Sequence, residues 1–195
     1  MTRPLVKVLA LSAAALLPAG CGFRSIPLAE NAVASAWAET ENQYQRRADL
    51  VPNLVETVKG YAAHERETLE AVVAARARAT QVKFTAEQLT PENVQKFEKA
   101  QAELGGALGR LLAVAENYPQ LKANENFRDL QAQLEGTENR IAIARRRYIE
   151  QVQAFNDLVT VPPTSWTNAL LYHKPPKAQF TATTAGAAEA PKVKF

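Results

Sequence analysis

Two stretches of the chain place apolar residues at alternating steps of three and four. In the first the stripe runs Val94, Phe97, Gln101, Leu104, Leu108, Leu111, Ala115 and Tyr118, with Gln101 its one clearly polar member. In the second it runs Phe127, Leu130, Leu134, Thr137, Ile141, Ala144, Tyr148, Gln151, Phe155 and Leu158, where only Thr137 and Gln151 are polar. A stripe held for about four heptads is the seam of a bundle or coiled coil rather than the buried edge of an isolated surface helix. At 1.5 Å per residue each helix is roughly 40–50 Å long. Thr90-Pro91-Glu92-Asn93 supplies an N-cap and a first-turn proline for the first helix, and Asn124 or a neighbour opens the second beyond Pro119.

The segment before them, from Val33 to about Lys83, is helical but interrupted. Val51, Leu54, Val58 and Tyr61, then Leu69, Val72 and Val73, carry an apolar stripe through Pro52. Proline removes a backbone donor and crowds the preceding turn, so the pattern predicts either one long helix kinked near Asp49–Pro52 or two helices meeting there. The absence of a polar loop around the proline favours one kinked helix. Thr85 to Pro91 is the first convincing turn. The expected fold is all-α: an elongated antiparallel bundle of three or four helices over residues 28–161. Pro162-Pro163-Thr164 ends the last long helix, and Ser165 to Tyr172 reads as a short helix presenting Trp166, Leu170 and Leu171. Lys174 to Phe195, rich in Ala, Thr, Pro and Lys, reads as a flexible tail.

The first 20 residues follow a different logic. Arg3 and Lys7 precede a ten-residue apolar run, Val8 to Leu17, which is followed by Pro18-Ala19-Gly20-Cys21. That is the basic, apolar and small-residue order of a secretory signal, and the run is too short to span a bilayer. Ala19-Gly20-Cys21 resembles the end of a bacterial lipobox, in which the cysteine is acylated and becomes the first mature residue. Pro18 stands where leucine is usual. Several acyl chains anchor durably, since each buried CH₂ contributes about 0.8 kcal/mol. Gly22, where an aspartate would argue for inner-membrane retention in enteric bacteria, favours the outer membrane by resemblance to that sorting rule. Residues 1–20 are therefore expected to be a signal peptide, Cys21 the membrane attachment point, and residues 21–27 a short lipidated tether. The expected location is the cell envelope, facing the periplasm or the exterior.

Composition narrows the partners. Of 23 basic residues, Arg3 and Lys7 lie in the leader, leaving 21 against 20 acidic ones. The mature chain has almost no net field to attract nucleic acid, and Arg145-Arg146-Arg147 points in three directions on a helix. The single cysteine allows no internal disulfide.

Candidate chemistry is thin. A di-iron bundle needs paired Glu-x-x-His units, whereas the two histidines, His64 and His173, do not follow a glutamate by three. His64-Glu65-Arg66-Glu67 reads as a solvated helix face. No haem-attachment motif, G-x-S-x-G elbow or phosphate-loop lysine is present, and Gly105, Gly106 and Gly109 read as points of close helix approach. No cofactor or metal is expected. Two polar clusters remain, Gln45–Leu54 around the proline and Leu134–Arg140 in the last long helix. Arg47, Asp49 and Asn53 are expected to bond Glu135, Asn139 or Arg140 across a helix interface and to satisfy carbonyls freed by Pro52. The alternative is that these are solvated flank residues.

The same stretches resemble the LemA family. The matching blocks are Gln45 to Val55 with Glu56 to Tyr61, then Ala115 to Pro119 through Leu121 to Phe127, then Leu134 to Ala142 followed by Arg145, Arg146 and Tyr148. The similarity spans roughly residues 31–182, in order and spacing. It implies an antiparallel helical bundle on the outer side of a bacterial membrane, held by an N-terminal segment. Most relatives carry an uncleaved hydrophobic helix there, and this chain departs from them in its cysteine-terminated leader. The family has no established activity or catalytic residues to carry over. The expected function is a non-enzymatic envelope scaffold or adaptor for a protein partner, working through a bundle face and the segment Trp166–Tyr172. The runner-up is a bundle that binds a small apolar or peptidic ligand beside Gly105, Gly106 and Gly109. An enzyme, the third class, would require an activity lost on changing Asp49, Glu135 or His64.

Overall fold

The computed structural model describes residues 22–180. Four long helices build the molecule: α1 (Ser25–Lys59), α2 (Arg66–Gln81), α3 (Pro91–Ala115) and, after the short α4 (Pro119–Ala123), α5 (Glu125–Thr160). A last short helix, α6 (Thr164–Thr167), runs on into a wider turn over Asn168–Tyr172. No strand occurs among the described residues, and none of their helices is long and apolar enough to cross a membrane.

Contacts between the helices fix their directions. Along α1, Trp37 meets Tyr148, Arg47 meets Glu138, and Tyr61, just beyond the helix, meets Asn124, so α1 and α5 run antiparallel along their full lengths. Arg76 of α2 reaches Ala48 of α1, and Arg78 of α2 reaches Glu103 of α3. Arg145 of α5 pairs with Glu98 of α3. The order is up, down, up, down, an antiparallel four-helix bundle.

The caps read from the sequence are in place. Thr90 Oγ1 accepts from Asn93 N with Pro91 at the first helical position, and Asn124 Oδ1 accepts from Phe127 N. The α3 stripe is buried from Val94 to Ala115 as its spacing requires, including Gln101. The α5 stripe slips by one residue beyond Tyr148. Val152 and Val159 are buried, while Gln151 and Leu158 are only half-buried. A straight helix drifts about 20° per heptad against a strict seven-residue repeat. After three heptads that drift brings the next residue along to the core.

The interruption in the first helical segment lies elsewhere than expected. Pro52 sits inside an unbroken α1, its ring on the exposed side, and the chain turns instead at Gly60–Glu65. Proline leaves the carbonyl four residues back without its helical donor. Here Arg76 Nε donates to Ala48 O at 2.8 Å and replaces it. The helix ends with Lys59 in its last turn and Gly60 at the C-cap in right-handed conformation, and Ala62 tucks into the core beyond it. Residues 33–83 therefore form two helices rather than one kinked helix.

Both ends of the described chain are docked, contrary to a tether and to a wholly free tail. Ile26 is fully buried, and Gly22 rests so closely on Thr167 that an added Cβ would lie 2.6 Å from Thr167 Cβ. At the other end residues 173–180 lie along α5 as a strap. Asn156 donates to Lys177 O and accepts from Lys177 N, Tyr148 donates to Ala178 O, and Phe180 is buried beside Trp37 and Tyr148. The reason is length. The 16-residue α2 covers less than half of the 35-residue α1, so the upper core needs another cover. The turn Val82–Leu89 and the strap provide it, the former accepting from Trp37 Nε1 at Phe84 O. Residues 1–21, including Cys21, and residues 181–195 lie outside the described part.

Candidate functional site

The core is two apolar clusters rather than one. The lower holds Val51, Leu54, Val58, Leu69, Val72, Leu104, Leu108, Leu111, Leu121, Phe127 and Leu134. The upper holds Ile26, Val33, Trp37, Tyr44, Phe97, Ile141, Tyr148, Val152 and Phe155. Between them lies a polar layer built on Arg47, which is only 4% exposed. Its Nη1 donates to Glu138 Oε1 at 2.9 Å, and its Nη2 donates at 2.9 Å to both Gln101 O and Gln101 Oε1. Gln101 Nε2 in turn donates to Ala79 O, so one buried amide ties α1, α2 and α3 together. The Arg47 guanidinium also lies over the Tyr44 ring, 5.1 Å from its centroid. Beside this group, Arg145 Nη2 donates to the buried Glu98 at 2.8 Å while its guanidinium stacks on Phe180. Burial raises the pKa of the Tyr44 hydroxyl against the opposing pull of Arg145 and Arg47. Arg47 Nε is buried with no hydrogen-bond partner among the described residues.

The expected polar constellation is only partly assembled. Arg47 bridges α1 and α5, but to Glu138 rather than to Glu135, Asn139 or Arg140. Asp49 is exposed and accepts from Gln45 on its own helix, and Glu135 likewise accepts from Gln131. Asn53 and Asn139 are exposed, and the carbonyl of Asn53 serves Thr57. Arg140 folds back on Thr137 Oγ1. The reason is helical phase. Asp49 and Asn53 fall on the solvent side of the turn that buries Arg47, and Glu135 and Asn139 flank the buried Thr137. The carbonyl freed by Pro52 goes to Arg76, a residue outside both clusters. Glu98 was missed outright, and Glu138, inside the second cluster, and Arg145, inside a matching block, were not expected as partners. Gln101 was visible as the polar break in an apolar stripe.

The three glycines of α3 do not mark close helix approach. A Cβ on Gly105 would meet the Arg47 guanidinium at an ordinary 3.7 Å, one on Gly106 only Arg110, and one on Gly109 nothing within 4 Å. What they leave is space. Gly106 lies in the floor of an open furrow of about 1060 Å³ between α2 and α3, together with Ala71, Ala74, Ala75, Ala102 and Ala107. Arg78, Lys96, Lys99 and Arg110 line it along with Glu92, Glu98 and Glu103. A smaller cleft of about 180 Å³ opens beside the polar layer, lined by Arg47, Glu98, Gln101, Gly105, Glu138 and Arg145 among others.

Neither histidine lines the furrow or the cleft. His64 sits against the Tyr118 ring at the lower end, and His173 occupies a left-handed turn leading into the strap. No curated protein matches the chain. The sequence model described as the LemA family matches residues 36–195, which takes in the bundle from the second third of α1 onward, and the chain belongs to the LemA family.

Proposed function

We propose that the protein is a lipid-anchored, non-enzymatic scaffold or adaptor of the bacterial cell envelope, held by acylated Cys21 and engaging a protein partner through the α2–α3 furrow. The observation that carries the partner reading is the shape of that furrow. It is open along its length and floored by alanine and glycine. Small-ligand sites are enclosed and bury most of the ligand, whereas a shallow groove between helices suits a helix laid along it. The mixed charges on its walls suit a helix with both signs on its flanks. The polar layer supports the same reading, because its side chains are spent on holding helices in register. The leader ending in Cys21 supports the address, with the outer membrane favoured by Gly22. The ligand-binding alternative draws support from the cleft beside Arg47, but at about 180 Å³ and ringed with charge it suits water better than an apolar compound.

The test is a photo-crosslinking residue placed at Ala102 in living cells. A discrete adduct that disappears on Gly106→Arg, a change at an exposed position, is the expected result. Adducts no stronger than those from an exposed position on α5 such as Asn139 would sink the adaptor reading.

A further inference from the structure

Six of the large apolar side chains exposed among the described residues gather at one end of the bundle: Phe23, Leu28, Val161, Trp166, Leu170 and Leu171. Trp166 is 64% exposed and Leu170 75%. Because α1 and α5 are antiparallel, the start of one and the end of the other meet there. The two segments are also fastened to each other. Gly22 is seated on Thr167, and Tyr172 Oη donates to Phe23 O at 2.6 Å. Residues 22–28 and 161–174 contain no acidic side chain, and their charged residues are Arg24 and Lys174.

The covalent chain decides what covers this patch. Cys21 is the residue before Gly22, a buried glycine seated on Thr167, and consecutive Cα atoms across a trans peptide are about 3.8 Å apart. One peptide unit separates the attachment point from the first docked residue. Anything that holds residue 21 at a bilayer brings the apolar end of the bundle to the same surface. Lys174 is paired with Glu30, which leaves Arg24 as the free charge of the two segments, and Trp and Leu exposed together match the chemistry of the boundary between headgroups and acyl chains.

We propose that this end is a membrane-docking face. Trp166, Leu170 and Leu171, with Phe23 and Val161 beside them, insert into the interfacial layer of the bilayer that holds Cys21. The proposal rests on the anchor reading above and adds an orientation to it. The bundle stands end-on, and the furrow floor at Ala102, level with Arg47 on α1, is held about 33 Å above the docking face, 22 residues along the helix.

The experiment uses the full-length protein, processed in cells, reconstituted into vesicles of phosphatidylcholine and phosphatidylglycerol with or without brominated phosphatidylcholine. Trp37 is buried in the core, so contact quenching by bromine reports on Trp166. The expected result is loss of close to half the tryptophan emission in brominated vesicles, no quenching in Trp166→Phe, and at least a twofold weaker effect in Leu170→Asn/Leu171→Asn. Flotation with the vesicles and far-ultraviolet circular dichroism should be unchanged in these variants. Wild-type protein that floats with its emission unquenched overturns the docking face and leaves the anchor standing. Unquenched emission from a chain that sediments as a dimer overturns it too, and makes the patch an interface between copies. Fatty-acid labelling that fails on the wild type overturns the anchor alone, and docking is then decided by the quench of the unanchored chain on the same vesicles.

Discussion

At the scale of single residues, burial and partner number decide which polar groups matter. Arg47 makes three hydrogen bonds from a site 4% exposed, two of them to Gln101. Its removal strands a buried amide oxygen and leaves a cavity. Arg47→Ala is therefore expected to cost about 2–4 kcal/mol of unfolding free energy, whereas Asp49→Ala and Asn53→Ala should stay within about 0.5 kcal/mol. Urea denaturation of the three variants checks the contrast, and a mild Arg47→Ala would show that the layer is not stabilising. Glycine gives a prediction of the opposite sign. Gly109 is exposed in mid-helix with nothing near its missing Cβ, so Gly109→Ala should raise stability by about 0.5–1 kcal/mol. The sequence disclosed Arg47 and Gln101 as polar residues near seams. It did not disclose their pairing, because which of Glu135, Glu138 and Asn139 faces α1 depends on a rotation of α5 that the short cluster Leu134–Arg140 does not fix. Glu98 carried no signal, since it looks in sequence like one charge among many on a helix flank, and Arg145 stood out only within a three-arginine run and a matching block, neither of which names its partner.

At the scale of elements, the seams and caps were legible and the break in the first helical segment was misplaced. Alternating steps of three and four, Thr90-Pro91 and Asn124 are local, and local signals survive folding. The response to Pro52 is not local. Its ring costs α1 one hydrogen bond, and the replacement donor comes from Arg76, 24 positions along the chain and on another helix. Gly60 behind Lys59 was the readable stop, overshadowed by the proline. The compensation predicts a coupling. Arg76→Ala should destabilise the wild type by about 1 kcal/mol more than it destabilises Pro52→Ala, in which residue 52 again has an N–H to offer Ala48 O. A double-mutant cycle by thermal or chemical denaturation measures this. Additive effects would mean that Arg76 acts through packing and not through the freed carbonyl. The docked strap was illegible for a related reason. Residues 173–180 have no helical periodicity, and their seat exists only because α2 stops short and leaves Trp37 and Tyr148 uncovered.

At the scale of the whole molecule, burial makes the stability of the upper core depend on the protonation of Tyr148, whose hydroxyl proton the strap accepts. Tyr148 is fully buried and donates its only hydroxyl proton to Ala178 O, while Phe180 packs on its ring 5.1 Å away between centroids. Burial pushes its pKa well above the ordinary tyrosine value near 10. The linkage sign follows from that direction. Below about pH 10 the phenol is neutral in folded and unfolded chains alike, and its contribution to stability is fully present. Above it the unfolded chain ionises while the folded one resists, so stability falls by up to about 1.4 kcal/mol per pH unit until the folded value is reached. Tyr44, raised in the same direction, adds to the fall. Tyr148→Phe should therefore cost about 1 kcal/mol at neutral pH through the lost hydrogen bond, yet lose less stability than the wild type between pH 10 and 11. Melting temperatures of both proteins across pH 7–11 test it, and parallel curves would refute the link. Phe180→Ala separates ring packing from hydroxyl chemistry. It should cost about 3 kcal/mol at every pH while leaving most of the alkaline slope, because burial within α1, α3 and α5, more than the strap, holds the Tyr148 proton in place.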